Sequence, residues 1–226
     1  GSASRLSRLR RPPRLPKEIP LITSIFYYSL SILIGRFLRS SAQQIFPRKW
    51  LPYINDTIFT FQAMACSLEN GQIRKHYGMG AYTMVLFTIS MWHQITVKNC
   101  AANPCTHVLR YTQNKCTFRH LVLSTLFQTG GGLLSYQYAK YFWSFEFTKS
   151  HGKRYWASHC LSDLTVHPAI GLMIESGGTI LETSLALIAF TPFYMMEAAS
   201  KVFLGCLLTV LGKGVDNYRL MRCLIN

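Results

Sequence analysis

Long apolar runs separated by short polar segments occupy most of this chain. Six such runs cover approximately residues 19–38, 54–69, 79–97, 121–145, 168–193 and 198–212. A helical membrane crossing needs about 20 predominantly apolar residues, and several of the runs approach that length. The pattern predicts an all-α membrane protein, while a soluble helical protein with buried helices is the alternative explanation of the same runs.

Polar and ionisable residues interrupt most of the runs, and such residues are costly in hydrocarbon unless they face a bundle interior or an aqueous path. In the fifth run Glu175 and Glu182 are seven residues apart, so both fall on the helix face that also carries Gly178. Glycine clusters at 130–132 and 177–178 would allow helices to approach closely. We therefore expect a packed helical bundle.

One stretch, Asn103-Pro104-Cys105, follows the third run and carries helix-start signals. Asparagine is a preferred N-cap and proline is favoured in the first helical turn, so a short helix is predicted over about 104–113. At membrane depth its N-terminus would present unpaired N–H groups and a positive dipole end to a cavity. Irregular backbone at that depth occurs only where it is buried in protein or lines a water-filled path. The stretch is therefore a pore candidate.

The formal net charge of +15 is concentrated in an N-terminal tail, residues 1–18, and between the apolar runs. This distribution favours membrane-flanking segments over nucleic-acid binding. The tail is interpreted as a cytosolic segment that binds anionic headgroups, and a mitochondrial presequence is the alternative, against which its three prolines argue. Because basic residues flank the first run on both sides, that run either spans the membrane or lies in its interface.

Neither the seven cysteines nor the seven histidines show metal-ligand spacing, and the cysteines are interpreted as mostly reduced, buried thiols. The pair His159-Cys160 is interpreted as part of a polar, loop-like segment at 147–166 rather than as a catalytic dyad. The triple glycine at 130–132 lies within an apolar run and cannot form a phosphate-binding loop. We predict no metal, no cofactor and no enzymatic activity.

A residue spacing that occurs twice in the chain gives the first indication of a family. Asp56 and Thr60 have the same spacing as Glu175 and Thr179, which indicates a weak internal repeat of the kind found in channels and transporters. These residues resemble the aquaporins, and the chain is more similar to the unorthodox branch that includes aquaporins eleven and twelve. The same resemblance rests on the motifs Phe61-Gln62-Ala63-Met64-Ala65-Cys66, His93-Gln94-Ile95-Thr96 and Asn103-Pro104-Cys105.

The resemblance covers roughly 52–212 and implies an aquaporin-like helical bundle with a re-entrant half-helix. It implies an extra apolar helix at 19–38 after the basic tail, and a C-terminal tail at 213–226. The implied function is passive permeation of water, and of small neutral solutes such as glycerol or hydrogen peroxide. The implied location is the endoplasmic reticulum or another intracellular membrane, with the plasma membrane as the alternative. Membrane lipids are the implied partners and a homotetramer is the implied assembly.

The resemblance also implies roles for individual residues. Asn103 would donate hydrogen bonds to permeating water, and Pro104 would start the half-helix whose positive end helps to exclude protons and cations. Cys105 takes the place usually held by alanine, either as a narrowing or oxidisable group or as an inert buried thiol.

Supporting roles fall on residues of the flanking helices. Asp56 stands where the family usually has glutamate, and with Thr60, Glu175 and Thr179 it is expected to brace the loop backbone. His93 is expected near the pore, as a hydrogen-bonded helix residue rather than as a pore lining.

The family pattern includes a second Asn-Pro loop, a selectivity arginine and a last crossing, and the sequence contains a single Asn-Pro pair. We therefore expect a copy that is incomplete at its C-terminus, ending before the second signature loop. Two functions follow as alternatives: an aquaporin-like channel, or a non-conducting membrane protein that keeps the scaffold and acts as a structural or interaction partner.

Overall fold

The computed structural model describes residues 20–97, 100–156 and 167–188, together with Ala199, Val202, Phe203 and Cys206. In this part of the chain all regular elements are α-helices, which confirms the prediction of an all-α fold. They are α1 (Pro20–Ile45), α2 (Leu51–Thr96), α3 (Pro104–Thr112), α4 (Phe118–Trp143), α5 (Lys149–Tyr155) and α6 (Pro168–Ile188). The tails predicted at 1–18 and 213–226, and most of the run at 198–212, lie outside the described residues.

Helix α1 contains most of the first apolar run. Among the described helices, it is the one long and apolar enough to cross a membrane by length and composition. Its large side chains divide into two sets: Tyr27 and Tyr28 are buried, whereas others such as Leu33 and Phe37 are more than 60% exposed. One face of α1 therefore packs against the rest of the molecule, and the opposite face presents apolar side chains outward.

The second and third apolar runs both lie in α2, and the chain reverses direction between them at Gly78. Gly78 has φ 81° and ψ −174°, which is not helical. Nε2 of Gln62 lies 3.0 Å from Nε2 of His93, although the two residues are 31 positions apart. In a straight helix that separation would be about 46 Å. Residues 51–77 and 79–96 are therefore antiparallel halves of a helical hairpin.

Helix α4 crosses the first half of α2 at short range because Gly131 has no side chain. A Cβ at Gly131 would meet the carbonyl oxygen of Thr57 and the backbone nitrogen of Phe61. The hydroxyl of Thr57 donates to the carbonyl of Phe127 at 3.1 Å across the same crossing. The buried apolar residues that join α1, α2 and α4 are Tyr27, Tyr28, Ala65, Cys66, Ile73, Ala139, Phe142 and Trp143.

The prediction of a loop-like segment at 147–166 is wrong for residues 149–155, which form α5. Thr148 caps this helix, because its hydroxyl accepts a hydrogen bond of 3.2 Å from the backbone nitrogen of His151. The side chain of His151 is buried and lies 3.2 Å from Oε2 of Glu69 on α2. This contact between distant residues holds a polar, seven-residue helix that has no apolar periodicity of its own.

The cysteines correct a second prediction. Five of them fall in the described residues and are free thiols, as expected, but Cys66 alone among these five is buried. The other four, Cys100, Cys105, Cys116 and Cys206, are partly exposed, and Cys100 and Cys116 lie in loops while Cys105 lies in the first turn of α3. Cys160 and Cys223 lie outside the described residues.

Candidate functional site

The short helix α3 begins where the sequence predicts it, at Pro104. Asn103 has the extended backbone of an N-cap, with φ −121° and ψ 127°. Its Oδ1 accepts a hydrogen bond of 3.0 Å from the backbone nitrogen of Cys105. The cap uses the oxygen of the Asn103 amide, and the side chain is exposed, so the two N–H donors of that amide point away from the helix.

The backbone just before Asn103 is held by a carboxylate from the start of α2. Oδ1 of Asp56 accepts a hydrogen bond of 2.9 Å from the backbone nitrogen of Ala101. Oδ2 of the same carboxylate lies 3.0 Å from Nε2 of His107, which is one turn inside α3. Asp56 and His107 are 4% and 1% exposed. One buried side chain thus contacts the loop on both sides of Asn103.

A side chain from helix α4 binds the other backbone polar group of Ala101. Nε2 of Gln128 donates to the carbonyl oxygen of Ala101 at 2.8 Å, so both polar groups of Ala101 are paired with buried side chains. Irregular backbone in a protein interior needs such partners. The hydroxyl of Thr60 lies 3.5 Å from the carbonyl oxygen of Ala102 and makes a weaker contact.

Two of these residues, Gln128 and His107, were not among the predicted site residues. Each nevertheless leaves a signal in the sequence. Gln128 is an amide within an apolar run, and His107 lies four residues after Asn103, on the face of a short helix that packs against the bundle. Neither signal identifies a site residue unless it is known which loop the side chain contacts.

His93 belongs to a separate chain of hydrogen bonds. Nη1 of Arg39 donates to Oε1 of Gln62 at 2.9 Å. The Gln62 amide nitrogen therefore faces Nε2 of His93 and donates to it at 3.0 Å. In that arrangement Nε2 of His93 is an acceptor and the ring is the neutral Nδ1–H tautomer. The edge of the ring also packs against Phe59, with ring centroids 5.4 Å apart. His93 thus joins α1 to both halves of α2.

Glu175 and Thr179 lie one turn apart on α6, which packs against α3. The side chain of Glu175 lies outside the described residues. Thr179 is half-buried. The roles given to these two residues stay predictions.

The chemistry that the site offers is hydrogen bonding. Among the described residues, no group of three or more His, Cys, Asp or Glu side chains could hold a metal ion. What the arrangement presents is a helix N-terminus with its positive dipole end, an exposed amide at its cap, and a buried network that fixes both.

Comparison with known proteins gives one informative match. No family model matches the chain, and no solved structure matches it. Aquaporin-11 of Milnesium tardigradum is 29% identical over 167 residues, which cover 74% of this chain and 62% of the relative. The chain therefore spans less than two thirds of that relative's length. This similarity supports a relationship between the chain and the aquaporin family.

Proposed function

We propose that this chain forms an aquaporin-like channel unit for water and small neutral solutes, in which Asn103, Pro104 and Cys105 line the path. The single observation that carries the proposal is the pair of hydrogen bonds to the backbone of Ala101, which we call the Ala101 clamp. Asp56 and Gln128, from two different helices, pair with both backbone polar groups of one loop residue, Ala101, at 2.9 and 2.8 Å. The Ala101 clamp fixes the backbone of the loop between α2 and α3, and it therefore fixes the position at which α3 starts.

The proposed mechanism uses the fixed start of α3. A water molecule at this position accepts a hydrogen bond from the exposed amide nitrogen of Asn103. The N-terminal end of α3 adds a positive potential, which repels hydronium and metal cations but not neutral solutes. The preference for neutral solutes over cations would therefore come from the helix dipole and the cap amide, without any titrating group in the path.

The supporting residues keep the loop in this geometry. Asp56 and Thr60 contact the loop backbone directly. We propose that Glu175 and Thr179, on α6 next to α3, do so from the other side of the path. His93 supports the loop indirectly, because its hydrogen bond to Gln62 fixes the second half of α2 against the first.

The proposed setting is an intracellular membrane, with the endoplasmic reticulum as the first candidate, lipids as partners and a homotetramer as the assembly. Helix α1 is long and apolar enough to cross a membrane, and the similarity to an aquaporin supports a membrane protein. Fractionation of cells that express the tagged chain, with resistance to alkaline extraction as the criterion, tests the membrane assignment. Co-localisation with an endoplasmic reticulum marker tests the compartment.

Osmotic shrinkage of proteoliposomes, followed by light scattering, tests the channel itself. We expect vesicles with the full chain to shrink faster than protein-free vesicles. Asn103→Ala removes both the cap and the amide donors, whereas Asn103→Ser keeps a capping oxygen and replaces the two amide N–H donors with a single hydroxyl. Both variants should reduce the protein-dependent rate if the amide contacts water. Gly130→Ala is the control, because a Cβ at Gly130 meets nothing within 4 Å.

A second candidate function is a non-conducting scaffold, in which the buried contacts of Asp56 and Gln128 with Ala101 would serve only to hold the helices together. It predicts that verified incorporation of the chain leaves vesicle shrinkage at the protein-free rate, and that Asn103→Ala has no effect on flux. Either result would replace the channel proposal with the scaffold proposal.

A further inference from the structure

A cavity of about 500 Å³ opens beside the C-terminal part of α1. The two ends of the α2 hairpin and the loop after α2 close its other sides. Most of its lining residues are basic or polar, and they include Arg36, Arg39, Ser40, Gln43 and Asn55.

Two arginines give this cavity its charge. Arg36 and Arg39 are three residues apart on α1, so their side chains emerge from the same face. Arg39 is half-buried and donates to Gln62 at 2.9 Å, while Arg36 is exposed. Within the described ranges, neither guanidinium pairs with a carboxylate. In the described part of the chain, the cavity therefore holds two neighbouring positive charges without a carboxylate paired to either.

Further polar groups continue the arginine face. Ser40 and Gln43 follow Arg36 at helical spacing and can donate from a hydroxyl and an amide. Asn55, at the start of α2, adds an amide to the lining. A guanidinium presents paired N–H groups that match the oxygens of a phosphate. The donor set suits a phosphate.

The surface next to the cavity is apolar. Leu33 and Phe37 are 62% and 70% exposed, and they lie one turn before and one residue after Arg36. More exposed apolar side chains, including Ile22, Ile25 and Phe26, continue along α1 toward its N-terminus. A free phosphate would leave this stripe uncovered, whereas the acyl chains of a lipid would cover it.

We propose that this cavity binds the phosphate headgroup of an anionic membrane lipid, with Arg36 and Arg39 on the phosphate and the acyl chains along α1. Basic pockets between membrane helices bind anionic headgroups by the same chemistry. The proposal rests on the membrane placement of α1, which is part of the proposed function, but it does not need the path at Asn103 to conduct.

Retention of lipid by the purified full chain tests the proposal. The chain is exchanged from detergent into vesicles of phosphatidylcholine with a small fraction of phosphatidylglycerol, extracted, and examined by native mass spectrometry. We expect phosphatidylglycerol to be enriched over phosphatidylcholine. Arg36→Gln should lower that enrichment about fivefold, since one basic residue near an anionic surface contributes about 1 kcal/mol. Arg48→Gln removes the same charge from an exposed position outside the cavity and should leave the enrichment unchanged.

Gln43→Glu provides an independent variant, because it adds a carboxylate to the cavity at an exposed position. It should lower the enrichment of phosphatidylglycerol relative to the wild-type chain. Helical circular dichroism and the melting temperature of each variant show whether it folds. Equal losses for Arg36→Gln and Arg48→Gln would mean non-specific surface charge and would overturn the site. Enrichment that inorganic phosphate alone abolishes at millimolar concentration would overturn the lipid assignment in favour of a free anion.

Failure of the site and failure of the channel are separable in the same preparation. If the channel proposal fails, Asn103→Ala changes nothing, while the difference between Arg36→Gln and Arg48→Gln remains. If the site fails, lipid retention is identical in all variants, while Asn103-dependent shrinkage remains.

Discussion

The carboxylate of Asp56 accepts a hydrogen bond of 2.9 Å from the backbone nitrogen of Ala101, which lies 45 residues later in the chain. The second carboxylate oxygen lies 3.0 Å from Nε2 of His107. Asp56 therefore links the first helix of the hairpin to the loop before Asn103 and to the helix after it. A side chain in this position supports the geometry of the candidate site from the protein interior.

Replacing Asp56 should separate its two contacts. Asp56→Asn keeps an acceptor for the Ala101 nitrogen and loses the negative charge beside His107. Asp56→Ala loses both and leaves a buried N–H without its partner, which costs about 1–3 kcal/mol. We expect the free energy of unfolding in detergent to fall in the order wild type, Asp56→Asn, Asp56→Ala, measured by denaturant titration of the circular dichroism signal. Equal stability of the three proteins would contradict the clamp.

The close crossing of α2 and α4 gives a prediction with an internal control. Gly131→Ala places a Cβ against the backbone of Thr57, and backbone cannot yield as a flexible side chain can. Overpacking of this kind costs about 1–3 kcal/mol. Gly130→Ala and Gly132→Ala meet nothing within 4 Å, and alanine is a better helix former than glycine by about 1 kcal/mol. Thermal melts should show a lower melting temperature for the first variant and an equal or higher one for the other two. Three indistinguishable melting temperatures would rule out a tight crossing at Gly131.

The reversal of the chain at Gly78 is testable in the same way. Gly78 has φ 81° with an extended ψ, a region that is essentially restricted to glycine. A Cβ at this position meets no atom within 4 Å, so any loss of stability in Gly78→Ala comes from backbone strain alone. We expect a loss of about 1–3 kcal/mol. Gly80→Ala, two residues away in equally open space, should lose nothing. A Gly78→Ala variant as stable as Gly80→Ala would favour a continuous helix over a hairpin.

Local signals explain what the sequence could predict. The start of α3 follows from an asparagine cap and a proline, which act through the backbone of their own residues. The helical character of α1, α2 and α4 follows from long apolar runs between turn signals. The break between the runs at 54–69 and 79–97 predicted two separate helices, but it gave neither their junction at Gly78 nor the direction of the second.

Contacts between distant residues explain what it could not predict. Gln128 is one amide among several in the apolar runs, and its role depends on the Ala101 carbonyl 27 positions earlier. Helix α5 has neither length nor apolar periodicity, and its contacts with the rest of the molecule include His151 against Glu69, 82 positions away. A polar heptapeptide read alone is indistinguishable from a loop.

That pair supplies the last prediction. Glu69 and His151 are 0% and 1% exposed, and the hydroxyl of Ser24 on α1 donates to the same carboxylate at 2.6 Å. Removing one member of a buried, hydrogen-bonded pair leaves the other without its partner and costs about 1–3 kcal/mol. We expect Glu69→Ala and His151→Ala each to lose stability in this range. The double variant should lose much less than the sum, because the two side chains act as a unit. Lys75→Ala, an exposed change on the same helix, should stay within about 0.5 kcal/mol of wild type. Additive losses in the double variant would show that α5 is held by its other contacts, such as Arg154 against Trp143, and not by this pair.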